Sequence, residues 1–353
     1  MAPVVADLAA APDFEALICV TAQHREMLDQ VLGLFAIQPD FDLDLMQPDQ
    51  SLPDLTAAVM RGLDSILSQV KPDWVLVQGD TTTVMAASLL AYYHHNRLGH
   101  VEAGLRTGDK WQPFPEEINR RVASVVADLH FAPTERARQN LLAEGVPPEG
   151  ILVTGNTVID ALLRVADLPY AWGDGPLRNV PQDRKLITVT AHRRENFGAP
   201  LEAIFQALRV LAEEFRDDLH LVYPVHRNPN VLEPAHRLLA GVKNISLIEP
   251  LDYLPMVHLL KRSHLVLTDS GGLQEEAPAL GVPVLVLRQV TERPEAIEAG
   301  TARLVGTDPQ RILDEARRLL RDPAAYAQMA HATNPYGDGK ASARIVAALR
   351  EAG

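Results

Sequence analysis

The sequence predicts an α/β protein with two domains, each built on a parallel β-sheet. A chain of 353 residues is long enough for two domains that each bury their own core. Short apolar runs alternate with helical patterns in both halves, which is typical of β-α-β units and parallel strands. Between the halves, residues 167–183 are rich in proline and glycine without a hydrophobic period, which indicates a linker.

The first half, residues 1–166, begins with a helix at 2–8 rather than with a strand, which is unusual for a doubly wound domain. The remaining periods predict strands at 16–21, 74–77, 100–101, 129–132 and 151–154, and helices at 55–70, 83–93, 116–127 and 135–142. A loop at 104–115 is long enough to act as a lid. The first half therefore reads as one β/α domain.

The second half, residues 184–335, repeats the same alternation. Its apolar runs predict strands at 186–190, 219–225, 245–248, 265–268, 284–287 and 302–305, with helical stretches between them. A helix at 309–320 and a last helix at 340–350 follow. The two halves are thus similar in type.

Composition narrows the class of protein. The net charge of -13 disfavours nucleic acid and anionic membranes as partners. No apolar run approaches the roughly 18 residues of a membrane helix, and the single cysteine, Cys19, permits no internal disulfide. The 12 histidines form no metal-binding pair of known spacing. We expect a cytoplasmic protein without a metal or cofactor.

Carboxylates follow two consecutive strands of the first half. Asp80 comes after the strand at 74–77, and Glu102 comes after the strand at 100–101. Carboxyl ends of parallel strands share one edge of a sheet, where ligands bind. Asp80 has a second interpretation as a helix N-cap, whereas a glycine-bearing loop follows Glu102 and leaves it no capping role.

Charged residues also stand at the beginning of the helix predicted after the loop at 104–115. Pro115 stands at its first position, and Glu116 with Arg120, and Glu117 with Arg121, have the spacing of i,i+4 ion pairs. Stabilisation of the helix alone could explain these pairs. A functional role is favoured because the preceding loop is long enough to act as a lid.

In the second half, cationic residues and a glycine turn follow the predicted strands. His192, Arg193 and Arg194 come after the strand at 186–190, and His226 comes after the strand at 219–225. The stretch 265–276 reads as strand, Gly-Gly turn and helix, and such a helix start suits a phosphate. Two alternatives do not involve a ligand: the cations form a solvated basic face, and the glycines serve only to turn the chain. In so acidic a chain, the cations favour a phosphate or diphosphate ligand.

Seven motifs, in chain order, carry a resemblance to a known family. They are QHREM at 23–27, QGDTT at 78–82, HVEAGLR at 100–106, PEE at 115–117, HRREN at 192–196, TDSGG at 268–272 and TERPE at 291–295. With these motifs the chain resembles the non-hydrolysing UDP-N-acetylglucosamine 2-epimerases. The resemblance implies two Rossmann-like domains in a B-type glycosyltransferase (GT-B) arrangement, with the segment 336–353 returning to the first domain. It also implies a homodimer that binds UDP-N-acetylglucosamine and UDP.

The resemblance implies three groups of site residues. The acid/base and catalytic group is Asp80, Glu102, Glu116 and His192. The substrate-binding group is Arg120, Arg193, Asn196, Ser270, Gly271, Gly272, Glu276 and Arg293. A regulatory site for a second UDP-N-acetylglucosamine is implied to include Gln23, His24, Arg194 and His226.

One departure from the family pattern bears on activity. Family members begin with a strand and a Gly-Thr-Arg-Pro-Glu loop, whereas this sequence starts just after that loop, so the first strand of the N-terminal domain is expected to be missing. Weak or no activity is expected of a chain that lacks this strand and loop. Three other interpretations remain: a hydrolysing 2-epimerase, a glycosyltransferase of the same architecture and a catalytically impaired nucleotide-sugar binding protein. The carboxylates at positions 80, 102 and 116 argue against the last two.

Overall fold

The computed structural model describes residues 1–21, 25–45 and 50–353. Within it the chain forms two compact units. Unit 1 comprises residues 1–161 and 336–353, and unit 2 comprises residues 162–335.

Helices occupy most of the described chain outside the sheets. They are Ala2–Ala10 (α1), Arg25–Leu34 (α2), Leu52–Val70 (α3), Thr82–Tyr93 (α4), Glu116–Val126 (α5), Glu135–Ala143 (α6), Thr157–Ala166 (α7), Ala199–Glu214 (α8), Pro229–Leu239 (α9), Tyr253–Arg262 (α10), Gly271–Ala279 (α11), Pro294–Glu298 (α12), Pro309–Arg321 (α13), Pro323–Ala330 (α14) and Ala341–Ala352 (α15).

The strands of the described residues form three parallel sheets. They are Cys19–Val20 (β1), Phe41–Asp42 (β2), Trp74–Gln78 (β3), Arg97–Val101 (β4), Leu129–Ala132 (β5), Ile151–Val153 (β6), Lys185–Thr190 (β7), Leu219–Pro224 (β8), Ile245–Ile248 (β9), Ser263–Thr268 (β10), Val284–Val286 (β11) and Ala302–Leu304 (β12). The strand orders are β1-β2 and β3-β4-β5-β6 in unit 1, and β12-β11-β10-β7-β8-β9 in unit 2. The alternation predicted from the sequence is confirmed, with ends that differ by a few residues.

The beginning of unit 1 differs from the sequence prediction. The strand predicted at 16–21 pairs only through Cys19–Val20, with Phe41–Asp42 as its parallel partner. The helix α2 and the strand β2 were not predicted. A strand of two residues has no period that a sequence pattern could reveal.

The helix α3 illustrates why the predicted helices form. The side chain of Ser51 caps it by accepting a hydrogen bond from the Asp54 backbone N–H at 3.3 Å. Apolar side chains recur every fourth residue, at Leu55, Val59, Leu63 and Leu67, and all four are buried. They pack with β3, β4 and α4 in the core of unit 1.

The C-terminal helix α15 belongs to unit 1. Its Ile345 and Val346 pack with Val4 of α1 and with Phe131 of the sheet. The buried carboxylate of Asp160 accepts hydrogen bonds from the first backbone N–H groups of α15, including that of Ser342 at 2.8 Å. A carboxylate at a helix N-terminus is favourable because it offsets the partial positive charge there.

In unit 2 the core covers both faces of the six-stranded sheet. The segment 167–183, predicted as a linker, contributes to it: Leu177 and Val180 are buried against Leu186, Val222 and Leu259. Within the described ranges, no helix is both long and apolar enough to cross a membrane.

Candidate functional site

The carboxyl ends of β3 and β4 form one edge of the sheet in unit 1. Gln78 is in register with Val101, and the Gly79 N–H donates to the Val101 carbonyl at 3.0 Å. This register brings the loop with Asp80 beside the loop with Glu102. The Gln78 Nε2 donates to Glu102 Oε2 at 3.4 Å. The predicted neighbourhood of these two strand ends is therefore present.

Asp80 forms an ion pair with Arg120 and does not cap the following helix. The N-cap of α4 is Thr81, whose hydroxyl accepts from the Val84 N–H at 3.4 Å. The capping interpretation of Asp80 is therefore wrong. Its carboxylate accepts a hydrogen bond from the Arg120 guanidinium, and its backbone carbonyl accepts one from Asn119 Nδ2 at 2.9 Å. Two side chains of α5 thus fix the position of Asp80.

The partner predicted for Arg120 was also wrong. Its guanidinium contacts Glu117 Oε2 at 3.4 Å in addition to Asp80, whereas Glu116 was the predicted i,i+4 partner. The other predicted pair, Glu117 with Arg121, forms at 3.2 Å. Arg120 is buried, so its charge requires these carboxylates. Both guanidinium contacts fix its orientation toward Asp80.

Glu117 is a buried carboxylate that sequence reasoning did not assign to the site. Its side chain is fully buried, and it accepts from the backbone N–H groups of Thr107 at 3.2 Å and Gly108 at 3.3 Å. It therefore anchors to α5 the loop at 104–115, of which residues 107–114 are exposed. Because Arg121 lies four residues after Glu117, the sequence pattern indicated an ordinary surface ion pair. The one sequence feature that could have indicated a buried role is the pair of consecutive glutamates after Pro115.

Glu102 has an unusual backbone conformation. Its φ of 62° lies in the left-handed region, which a residue other than glycine rarely adopts. Such strain is a common feature of functional sites. Beside it, the buried His100 contacts the Gly79 carbonyl through Nε2 at 2.8 Å. Burial lowers the pKa of His100 to about 4, so this histidine is neutral near pH 7.

Glu116 is the first residue of α5 and is half-buried. The contacts of Asn119 and Arg120 with Asp80 tie this first turn of α5 to the end of β3. Unit 1 therefore holds Asp80, Glu102 and Glu116 near one edge of its sheet. Carboxylates in this arrangement can donate and accept protons.

In unit 2 a fully buried aspartate organises the loop after β7. Asp269 follows β10, and its Oδ2 accepts from the backbone N–H groups of His192 and Arg193, both at 2.8 Å. The side-chain amide of Asn196 donates to the same oxygen at 3.2 Å and to the Leu287 carbonyl at 3.1 Å. Burial alone would raise the pKa of Asp269, but the side chain of His192 and the loop N–H groups outweigh it and lower the pKa.

Two histidines after neighbouring strands lie against each other in unit 2. The rings of His192 and His226 are stacked, with centroids 5.3 Å apart and planes 7° apart. His226 Nδ1 accepts from the backbone N–H of Asn228 at 3.0 Å. Arg194 is exposed in the same loop as His192. One catalytic candidate and one regulatory candidate are therefore in direct contact.

The glycine turn after β10 opens α11. Ser270 is the N-cap residue of this helix, and its backbone N–H donates to Thr268 Oγ1 at 2.9 Å. A Cβ on Gly271 would lie 2.9 Å from Glu292 Oε1, so a side chain here would have to displace the end of the Glu292 side chain. Gly272 is exposed, which leaves the start of the helix accessible. Arg193 pairs with the same Glu292 at 3.1 Å.

Two adjacent glutamates of α11 have different environments. Glu275 is buried and pairs with Arg293. Burial and the neighbouring charge of Glu275 raise the pKa of Glu276 to about 8. Glu276 therefore keeps its proton near pH 7, while Glu275 is held by a cation.

Two predicted regulatory residues, Gln23 and His24, lie outside the described residues. Among the residues that are described, no three His, Cys, Asp or Glu side chains come together as ligands for a metal ion.

Comparisons with known proteins agree with these features. The family model for UDP-N-acetylglucosamine 2-epimerase matches residues 6–350. The UDP-N-acetylglucosamine 2-epimerase of Escherichia coli (strain K12) is 56% identical over 358 residues, which cover 99% of this chain and 94% of that protein.

Solved structures give the same result. The 2-epimerase from Neisseria meningitidis, crystallised with UDP-N-acetylglucosamine, is similar with a TM-score of 0.86 and 47% identity, covering 99% of this chain and 96% of that one. The enzyme from Methanocaldococcus jannaschii, in complex with UDP-N-acetylglucosamine and UDP, has a TM-score of 0.77 and 32% identity, covering 99% and 95%. The predicted fold class, a GT-B-like α/β fold with parallel sheets, is confirmed.

Proposed function

Because this chain belongs to the UDP-N-acetylglucosamine 2-epimerase family, we propose that it interconverts UDP-N-acetylglucosamine and UDP-N-acetylmannosamine without hydrolysis. In this reaction the bond from carbon 1 to the diphosphate breaks, and its electron pair leaves with UDP. A carboxylate takes the proton of carbon 2, and a double bond forms between the two carbons. UDP then adds back to this glycal after carbon 2 is protonated on the opposite face.

The observation that carries the proposal is the set of three carboxylates at one edge of the sheet in unit 1. Inversion at carbon 2 requires one group that removes a proton and another that delivers one on the other face. Asp80, Glu102 and Glu116 supply these groups, and Arg120 holds Asp80 in place. A nucleotide-binding protein without chemistry would have no use for this edge.

Unit 2 offers the groups that suit a departing diphosphate. The carbon 2 proton is weakly acidic until positive charge develops at carbon 1, so stabilising the leaving UDP is essential. We assign this role to His192, Arg193, and the start of α11 at Ser270, Gly271 and Gly272. Asn196 and Arg293 support the same site through Asp269 and Glu275, and Glu276 binds the ribose hydroxyls. Accordingly, we assign acid/base chemistry to residues 1–166 and UDP binding to residues 184–335.

We further propose a regulatory site that includes Arg194 and His226, together with Gln23 and His24. The stack of His226 on His192 supports an effect of that site on the diphosphate site. A regulatory ligand that touched His226 would alter the packing of the catalytic imidazole.

We also propose a homodimer formed through α4 and α5. Tyr92 and Tyr93 at the end of α4 are 63% and 60% exposed, and Val125 near the end of α5 is 84% exposed. Ile118, seven residues before Val125, lies on the same helical face and is 41% exposed. Exposed apolar side chains on two helices that contact each other are typical of an interface between subunits.

Proton NMR of UDP-N-acetylglucosamine incubated with the protein in heavy water tests the reaction. The expected product is UDP-N-acetylmannosamine with deuterium at carbon 2, because the removed proton exchanges with solvent. Free N-acetylmannosamine and UDP would instead identify a hydrolysing 2-epimerase. An unchanged spectrum at high protein concentration, both for this chain and for one extended by the family's N-terminal strand and loop, would refute the proposed reaction, and calorimetric titration with UDP would then show whether a binding role remains.

A further inference from the structure

The two carboxylate oxygens of Asp269 have different surroundings. Oδ2 accepts three N–H groups, from the backbones of His192 and Arg193 and from the Asn196 side chain, at 2.8, 2.8 and 3.2 Å. These contacts fold the loop after β7 against the end of β10. One oxygen is therefore sufficient to anchor the loop.

The other oxygen, Oδ1, is buried and makes no hydrogen bond of good geometry with any described residue. His192 Nδ1 lies 3.3 Å from it. Leaving a buried carboxylate oxygen without a donor is costly, so the free energy of the site favours a proton on this nitrogen. With the proton on Nδ1, the other ring nitrogen of a neutral His192 is free to accept one.

We propose that Asp269 is a positioning residue that acts through His192, holding the imidazole in the Nδ1–H tautomer. This inference rests on the proposed function, in which His192 contacts the diphosphate. A fixed tautomer leaves Nε2 able to take up a proton and, as imidazolium, to donate a hydrogen bond to the leaving diphosphate oxygen. His192 is 37% exposed at its side chain, so part of the ring is open to a ligand.

The competing explanation is that Asp269 serves only to anchor the loop. The variant Asp269→Asn separates the two roles. Its amide oxygen can still accept the three N–H groups that Oδ2 now accepts, so the loop keeps its anchor. Its amide nitrogen would replace Oδ1 and, as a donor, would require His192 Nδ1 to be unprotonated. The variant therefore reverses the tautomer while preserving most of the loop contacts.

The first measurement is nitrogen NMR of protein labelled with ¹⁵N-histidine, with His192 assigned by comparison with the His192→Ala variant. We expect the Nδ1–H tautomer in the unsubstituted protein and the Nε2–H tautomer in Asp269→Asn. This readout requires no turnover. It therefore distinguishes failure of the inference from failure of the proposed epimerisation, which the heavy-water experiment tests by itself.

The second measurement compares rates of epimerisation. In a serine protease, loss of the correct histidine tautomer reduces kcat by about 10⁴-fold. We expect a reduction of that order in Asp269→Asn, with KM changed less than about tenfold. Because Asp269 acts through His192, the double variant with His192→Ala is expected to be no slower than His192→Ala alone.

A matched control is Asp308→Asn, which changes an exposed aspartate that caps α13 in the same unit. It is expected to leave both the tautomer and kcat unchanged. The inference is overturned if His192 of the unsubstituted protein carries the Nε2–H tautomer. It is also overturned if the reductions in kcat caused by Asp269→Asn and His192→Ala multiply in the double variant. Should Asp269→Asn fail to fold, as judged by circular dichroism, the spectrum of the unsubstituted protein still decides the question.

Discussion

His192 and His226 are stacked at a centroid distance of 5.3 Å, although they follow different strands, β7 and β8. The contact joins a residue of the proposed diphosphate site to a residue of the proposed regulatory site. A substitution of one ring is therefore expected to change the packing of the other.

The first prediction concerns this stack. A contact between two aromatic rings contributes a stabilising free energy of about 0.5–1.5 kcal/mol. If this contact holds His192 in its active position, His226→Ala is expected to lower kcat/KM by roughly three- to tenfold. His226→Phe keeps a ring face and is expected to recover most of the loss. Initial-rate kinetics would check both variants, with His236→Ala on the exposed face of α9 as the control. Equal rates in His226→Ala and the control would contradict the coupling.

The second prediction concerns Glu117. Removing its charge leaves the buried Arg120 with fewer carboxylate partners and weakens the anchor of the loop at Thr107 and Gly108. Glu117→Gln is expected to reduce the free energy of unfolding of unit 1 by about 3 kcal/mol. It is also expected to slow epimerisation by roughly 10- to 100-fold, because Arg120 positions Asp80.

Urea unfolding and initial rates would measure these two effects. The control is Glu135→Gln, whose carboxylate is 62% exposed and pairs with Arg138 at the surface. Surface pairs contribute little, so a change of less than about 1 kcal/mol is expected there. If Glu117→Gln behaves like this control, Glu117 has no anchoring role.

The order of helices and strands was predictable because it depends on local periods. The longer helices carry a 3.6-residue period, and buried parallel strands read as short apolar runs bounded by glycine or proline. The strand ends then placed Asp80 and Glu102 at one edge of the sheet without any knowledge of side-chain contacts.

The contacts of the site were not predictable, because they join residues that are distant in sequence. Arg120 is 40 residues from Asp80, and His192 is 77 residues from Asp269. A local rule instead assigned Arg120 to Glu116 and gave Asp80 a second interpretation as a helix cap. Tertiary packing overrode both rules, because a buried charge must find a partner wherever one is available.

The third prediction concerns the pH dependence of substrate binding. The pKa of Glu276 is raised to about 8, so below pH 8 the free protein mostly holds the protonated acid. Ribose hydroxyls that donate to Glu276 favour the ionised form. Affinity for UDP-N-acetylglucosamine is therefore expected to rise roughly tenfold between pH 7 and pH 9.

Calorimetric titration across this range would measure the dependence, and Glu276→Gln is expected to abolish it. The ratio of affinities between the unsubstituted protein and Glu276→Gln isolates the contribution of Glu276. A ratio that does not change with pH would contradict the assignment of this residue to the ribose.

The last prediction concerns subunit association. Val125 is 84% exposed, so Val125→Lys removes no buried contact within its own unit and is expected to leave the free energy of unfolding of an isolated subunit nearly unchanged. In a dimer formed through α4 and α5, the same lysine would bury an unpaired charge and weaken association by roughly 100-fold or more. Sedimentation velocity over a range of protein concentrations would detect the shift to monomer.

Val210→Lys, at a position on α8 that is 41% exposed, is the matched control and is expected to keep the assembly of the unsubstituted protein. Dimers that persist in Val125→Lys would place the subunit interface on another surface.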